Sequence, residues 1–201
     1  MKKQLFIALT LIIFTITGFA QQKLPTLNIN SSEIIEKAQE MDFSEAKEIL
    51  LTIPLGDTLY NTAQMMLGKL HTNNKQYEDA LKYCMWVLEH PNSKVSEKDI
   101  IPTMAECYYY LNDYNTAIFY FNKALEYFPY KAYLHNNLAQ CYMQLEMTTK
   151  AEEHLILAIR CEPFNNSFHY QLALTYLKQR QTIPALLALN FSSYCEPSHA
   201  I

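Results

Sequence analysis

Paired histidines, periodic cysteines and an acidic run next to a histidine are the residue types in this chain that could do chemistry. His135 and His169 stand 34 residues apart. Two imidazoles can share a metal, but no Cys or carboxylate stands at ligand spacing beside either, so both are expected to be packing residues. Glu152-Glu153-His154 lacks the HExxH spacing that brings two imidazoles onto one helix face, and it reads as a charged helix face. Of the five cysteines, Cys107 and Cys141 share a 34-residue spacing with Cys161 and Cys195. An odd count cannot pair fully within one chain. Atoms one helix layer apart are separated by about 8–10 Å, beyond the roughly 7 Å between Cα atoms that a disulfide tolerates. The cysteines are therefore expected to fill helix contacts as small apolar residues, with an intermolecular bridge through an exposed one, such as Cys195, as the alternative. Nucleophile elbows, P-loops and GxGxxG turns are absent, and 3 glycines could not build them. The chain is expected to be no enzyme and to take neither cofactor nor catalytic metal.

The spacing that places these residues extends far beyond them. Pro129, Pro163 and Pro197 keep the same 34-residue interval. So do Tyr108, Tyr142 and Tyr176; Ala105, Ala139 and Ala173; and Ala117, Ala151 and Ala185. Met104, Leu138 and Leu172 share the register, as do Phe121, Leu155 and Leu189, while Ala124 and Ala158 lead to Ser192. Within one unit Met104, Ala105 and Tyr108 make one apolar helical stripe, and Ala117, Phe121 and Ala124 make a second. Alanine on both stripes lets two antiparallel helices approach closely. One such pair cannot bury both its faces, so pairs must stack. Tyr108, Tyr142 and Tyr176 are expected in the packed stripes; Tyr109, Tyr133 and Tyr170 are expected outside them.

These residues resemble the tetratricopeptide repeat, which carries apolar, small, Tyr, Ala, large apolar, Ala and Pro at these intervals. The resemblance covers residues 98–131, 132–165 and 166–199. A weaker unit at 61–94 carries Leu67, Gly68, Ala80 and a Tyr77-Glu-Asp-Ala-Leu-Lys-Tyr segment. There His71 replaces the Tyr, Val87 replaces the second Ala, and Pro91 arrives one residue early. Residues 31–58 look like a degenerate N-terminal helix pair around Phe43, Ala46 and Leu50. The resemblance implies an all-α fold, a right-handed α-solenoid of stacked antiparallel helix pairs. Asp99 is expected to cap the first helix of the 98–131 unit, which would start near Ile100 and leave Pro102 in its first turn. Thr182 is expected to cap the last helix ahead of Pro184.

The N-terminus reads as a leader and not as part of this fold. Lys2 and Lys3 precede an apolar Leu5–Ile16 run, and Gly18-Phe19-Ala20 offers small residues at a cleavage site before Gln21. Residues 1–20 are thus expected to be a signal peptide and 21–30 a linker. An uncleaved anchor is the alternative, although the run is shorter than the about 20 apolar residues of a spanning helix. The expected location is secreted or periplasmic, with no lipid-acceptor Cys and no integral membrane span after cleavage. Losing Lys2 and Lys3 takes the net charge from −4 to −6, because residues 1–20 hold no acidic side chain. With 16 basic against 20 acidic residues and no basic cluster, nucleic-acid binding is excluded.

Function is then expected to lie in binding. The resemblance implies a concave groove lined by the first helices that takes a peptide or a partner's helix. Carrying its groove positions over gives Lys69, beside Met65, then Glu106 and Tyr109. The following units give Tyr133, Asn136, Gln140 and Met143, then Tyr170, Leu174 and Lys178. Pairs that clamp a C-terminal carboxylate are not preserved, since Met65/Lys69, Pro102/Glu106, Asn136/Gln140 and Tyr170/Leu174 stand there. A non-enzymatic protein-interaction scaffold, in cell-envelope assembly or secretion, is the first expectation. The alternatives are a module that self-associates through its C-terminal helix, an N-terminal fragment of a longer exported repeat protein, and a cell-wall or glycan binder.

Overall fold

The computed structural model describes residues 30–92 and 94–195. The expected leader, nearly all of the linker and Pro197 lie outside these residues. Ten α-helices are described, with no strand among the described residues: α1 Ser31–Lys37, α2 Phe43–Leu50, α3 Tyr60–Asn73, α4 Tyr77–Glu89, α5 Glu97–Tyr110, α6 Tyr114–Tyr127, α7 Ala132–Gln144, α8 Thr148–Cys161, α9 Asn166–Lys178 and α10 Thr182–Tyr194. None is long and apolar enough to cross a membrane. Consecutive helices pack as antiparallel pairs, and the pairs stack on one another.

The alanine stripes explain the pairing. Ala105, Ala117, Ala139, Ala151, Ala173 and Ala185 are all completely buried, so the backbones of each pair meet over methyl groups. Phe121 and Leu155 fill the space between pairs, joined by Leu134, Leu138 and Tyr142 in one continuous core. Tyr108 stacks on Tyr120 within its own pair, with centroids 5.4 Å apart. In the weaker unit the close contact is made by Gly68: a Cβ there would lie 2.9 Å from the Cys84 sulfur. The degenerate N-terminal pair covers the other end, where Ile34, Ala46 and Leu50 pack with Ala63 and Leu67 of α3.

The turns inside each pair are built without glycine. Lys75, Asn112, Glu146 and Arg180 all adopt left-handed backbone, with φ between 59° and 63°. Each follows a first helix and forms the double hydrogen bond of a left-handed helix stop: Asn112 N–H donates to Tyr109 C=O, and Asp113 N–H to Tyr108 C=O. The same pair of bonds recurs at Lys75/Gln76, Glu146/Met147 and Arg180/Gln181. An L-residue with a Cβ pays about 1–2 kcal/mol in this region, a cost the packed pair absorbs.

Two expected caps are corrected. Helix α5 starts at Glu97, capped by Ser96, whose N–H and hydroxyl both donate to the Asp99 carboxylate at 2.9 Å. Asp99 thus closes the cap from inside the helix, and Pro102 lies within the helix instead of its first turn. Because Pro102 has no N–H, the Lys98 carbonyl loses its usual intrahelical donor. In α10 the cap is Gln181, with no side-chain bond, and Thr182 is the first helical residue. Pro184 still falls in the first turn, where it displaces no intrahelical bond.

Gly68→Ala should be destabilising even though Ala is the better helix former by about 1 kcal/mol, because overpacking against Cys84 costs about 1–3 kcal/mol. Thermal melts of both single variants and of Gly68→Ala/Cys84→Ala should show the substitutions coupled by about 1 kcal/mol. Simple additivity would show that the two side chains do not compete for the same space.

Candidate functional site

From α3 to α7, first helices lie closer together than second helices. Helix α3 touches α5 and α5 touches α7, whereas successive second helices share no contact of that size among the described residues. A stack drawn together on one side curves toward it, so the first helices line the inner face. A cavity of about 430 Å³ opens on this face. Its walls are the end of α3 (Lys69, Thr72, Asn73), the start of α5 (Lys98, Asp99, Pro102, Thr103, Glu106), Phe128 and Tyr133.

Three of the groove residues expected from sequence meet in this cavity: Lys69, Glu106 and Tyr133. Lys69 is exposed at its rim, and Tyr133 is 42% exposed. Glu106 is half-buried. Burial raises its carboxyl above the usual range, and the Lys69 cation opposes that shift without cancelling it. The Tyr133 hydroxyl is raised as well, first by burial and then by the neighbouring Glu106 charge.

The remaining groove residues divide. Tyr170, Leu174 and Lys178 are exposed on α9. Tyr109, expected to be free, is half-buried; its hydroxyl donates to Gln140 Oε1 at 3.0 Å and ties α5 to α7. Met143 packs into the core, with its sulfur 3.3 Å from the Thr175 hydroxyl. Asn136, expected outside the packed surface, is buried, and its Oδ1 has no partner among the described residues. Tyr109 and Gln140 hold repeats together, and Asn136 and Met143 belong to the packing.

Asp99, Thr103 and Phe128 were not anticipated in the site. Asp99 occupies the register position of Tyr133 one repeat earlier, a signal hidden by reading it as a helix cap.

The histidines prove to be structural links. His135 Nε2 donates to the Pro129 carbonyl at 3.1 Å, and His169 Nε2 to the Pro163 carbonyl at 2.8 Å. Each fastens a first helix to the proline that ends the preceding pair. With Nε2 of His135 protonated, its Nδ1 accepts from His154 Nδ1–H across 3.2 Å. His154 is therefore not on a solvated charged face. It takes the place of Tyr120 in the next repeat, stacked on Tyr142 with centroids 5.6 Å apart. Burial, then the nearby His135 and Lys150, depress its pKa to about 4.

Cys84, Cys107 and Cys141 are buried free thiols, and Cys161 and Cys195 are free and partly buried. Thr72 spends its hydroxyl proton on the Gly68 carbonyl at 2.9 Å, so the Cys107 thiol donates to Thr72 across 3.2 Å. Among the described residues no three His, Cys, Asp or Glu side chains gather as metal ligands.

The stacked antiparallel helix pairs, with a groove on the first-helix face, make an all-helical fold of tetratricopeptide-like form. Residues 108–174 match the family described as Tetratricopeptide repeat. In fold the chain is structurally like MamA. The MamA 41-end structure from Desulfovibrio magneticus RS-1 superposes with a TM-score of 0.75 at 16% identity, covering 85% of this chain and 95% of that one. A further crystal structure of MamA gives a TM-score of 0.74 at 15% identity, covering 87% and 99%. No curated protein sequence matches the chain.

The linkage at His154 has a definite sign. A histidine whose folded pKa is depressed contributes stability above its unfolded pKa, and that contribution is lost as pH falls through the folded value. Wild-type stability should therefore decline as pH drops from about 6.5 toward about 4. His154→Phe, which keeps a ring against Tyr142 but cannot titrate, should show a smaller decline in denaturant unfolding across that interval. Parallel curves would mean His154 does not carry the dependence.

Proposed function

We propose that the protein is a non-enzymatic interaction scaffold whose first-helix groove holds a segment of a partner protein. The observation that carries this reading is the cavity between α3, α5 and α7, which combines a half-buried carboxylate, exposed lysines and aromatic walls. The groove continues toward α9, where Tyr170 and Leu174 present large side chains to solvent. Such residues contribute little to folding, so their exposure is consistent with a surface that a partner covers. The positively charged start and apolar run of residues 1–20 support work outside the cytoplasm, in the envelope or secreted.

Tyr133→Ala with Tyr170→Ala should weaken binding of a partner crosslinked and captured from envelope extracts by at least about 2 kcal/mol if they are hot spots. Calorimetry measures the loss, and a circular-dichroism melt should stay unchanged. Unaltered affinity would move the site off this face.

A second reading, self-association through the C-terminal helix, is favoured by α10 itself. This helix carries no charged residue, and Ile183, Leu186, Leu187 and Tyr194 are exposed on it. One repeat earlier those positions hold Thr149, Glu152, Glu153 and Arg160. Glu152 accepts from Gln179 of the next pair at 3.0 Å, so Leu186 faces the side on which a further pair would stack. A second copy continues the stacking surface that the inner pairs already use. Sedimentation velocity should show dimers or larger species that Leu186→Glu/Leu187→Glu converts to monomer. A monomeric wild type would end this reading.

A further inference from the structure

The cavity on the inner face has an internal imbalance. Glu106 is its most enclosed charged group, and among the described residues no cation lies at ion-pair distance from it and no donor hydrogen-bonds to it. Lys69 and Lys98 are exposed, with their charges at the solvent rim. Asp99 is engaged by the Ser96 cap. Pro102, in the same wall, leaves the Lys98 carbonyl without its helical donor. Phe128 and Tyr133 supply two aromatic faces. With both lysines at the rim, Glu106 and the aromatic surface are left without a cation at ion-pair distance, the environment that attracts a guanidinium or ammonium group.

We infer that this cavity receives an arginine or lysine side chain of the bound partner segment, with Glu106 as its ionic partner and Phe128 and Tyr133 flanking the cation. The inference rests on the groove reading above and adds the chemistry of its occupant. Its physical logic is charge complementarity: a partly desolvated carboxylate is costly while alone and recovers part of that cost when an opposite charge enters and covers it. The free protein should therefore be weakened by Glu106. A carboxyl whose folded pKa is raised makes the fold lose stability as pH rises from the ordinary carboxylate range through the folded value. Glu106→Gln should accordingly melt higher than wild type at neutral pH. A carboxylate that simply braces the fold would have the opposite effect.

Binding is tested with four pools of short synthetic peptides, blocked at both ends, each with a fixed central Arg, Lys, Gln or Glu and random uncharged neighbours. Fluorescence anisotropy on the whole protein should rank the Arg and Lys pools above the Gln pool and the Glu pool last. Glu106→Gln should weaken the Arg pool by about thirtyfold, the lower bound for removing one member of a buried charge pair. Glu106→Asp, which keeps the charge, should restore part of it. In wild type, NMR titration of the Glu106 side-chain carboxyl should show its pKa falling on addition of the Arg pool. Equal affinity for all pools, still reduced by Tyr170→Ala, would overturn the cation site and leave the groove standing. An Arg preference erased by Glu106→Gln but indifferent to Tyr170→Ala would keep the cation site and overturn the longer groove.

Discussion

Everything in this molecule rests on how closely two helices can approach when only a methyl group stands between them. Ala105 and Ala117, with their counterparts in the next two repeats, are fully buried at that contact. Larger side chains there would separate the helices and open gaps that Phe121 and Leu155 could not fill. Once a pair is tight it is too thin to bury both of its faces, so it must stack. The inner face follows from the same constraint, because α3 touches α5 and α5 touches α7, whereas successive second helices share no contact of that size among the described residues.

The joints between helices carry local costs that packing overrides. Four non-glycine residues hold left-handed backbone at the turns, each completing the hydrogen bonds that end a first helix. Between pairs, His135 and His169 close the link to the preceding proline, so the imidazole serves as a fixed donor. The His135–His154 contact adds a titratable element at one such joint only. The corresponding pair one repeat earlier, Tyr108 and Tyr120, makes the same stacking with two phenol rings.

The inner face is not uniformly a binding surface. Asn136 and Met143 sit in the packing, and Tyr109 is bound to Gln140, so the middle of the face is braced from within. What is left open lies on either side: the charged cavity around Glu106, and the tyrosine and leucine of α9. Pro102 contributes to the first by interrupting the hydrogen bonding of α5 at the cavity wall, where a regular helix would present a satisfied backbone. A scaffold with one polar cavity and one apolar shelf is suited to an occupant with a charged anchor and an apolar neighbour.

The 34-residue register was fully legible in the sequence, because the identity of residues at helix contacts is constrained by size and a repeated contact repeats its residues. From that register the all-helical stacked fold, the buried alanines and the packed tyrosines could be read, while the resemblance it carries implied the place of Lys69, Glu106 and Tyr133 on one face. The caps were legible only in part: Asp99 is an acceptor near the start of α5, but whether it caps from outside or inside depends on where Ser96 lies. Left-handed turns at Lys75, Glu146 and Arg180 carried no compositional mark, since glycine is the usual signal and none is used; only Asn112 is of a type that favours this backbone. Tertiary structure alone decided which groove residues stay free. Repeat position gives the direction in which a side chain leaves its helix, whereas burial and partnership depend on what the neighbouring repeat places opposite it. That is why Asn136 is enclosed while Tyr170, one repeat on, is open, and why Glu106 is half-buried with no ion-pair partner among the described residues.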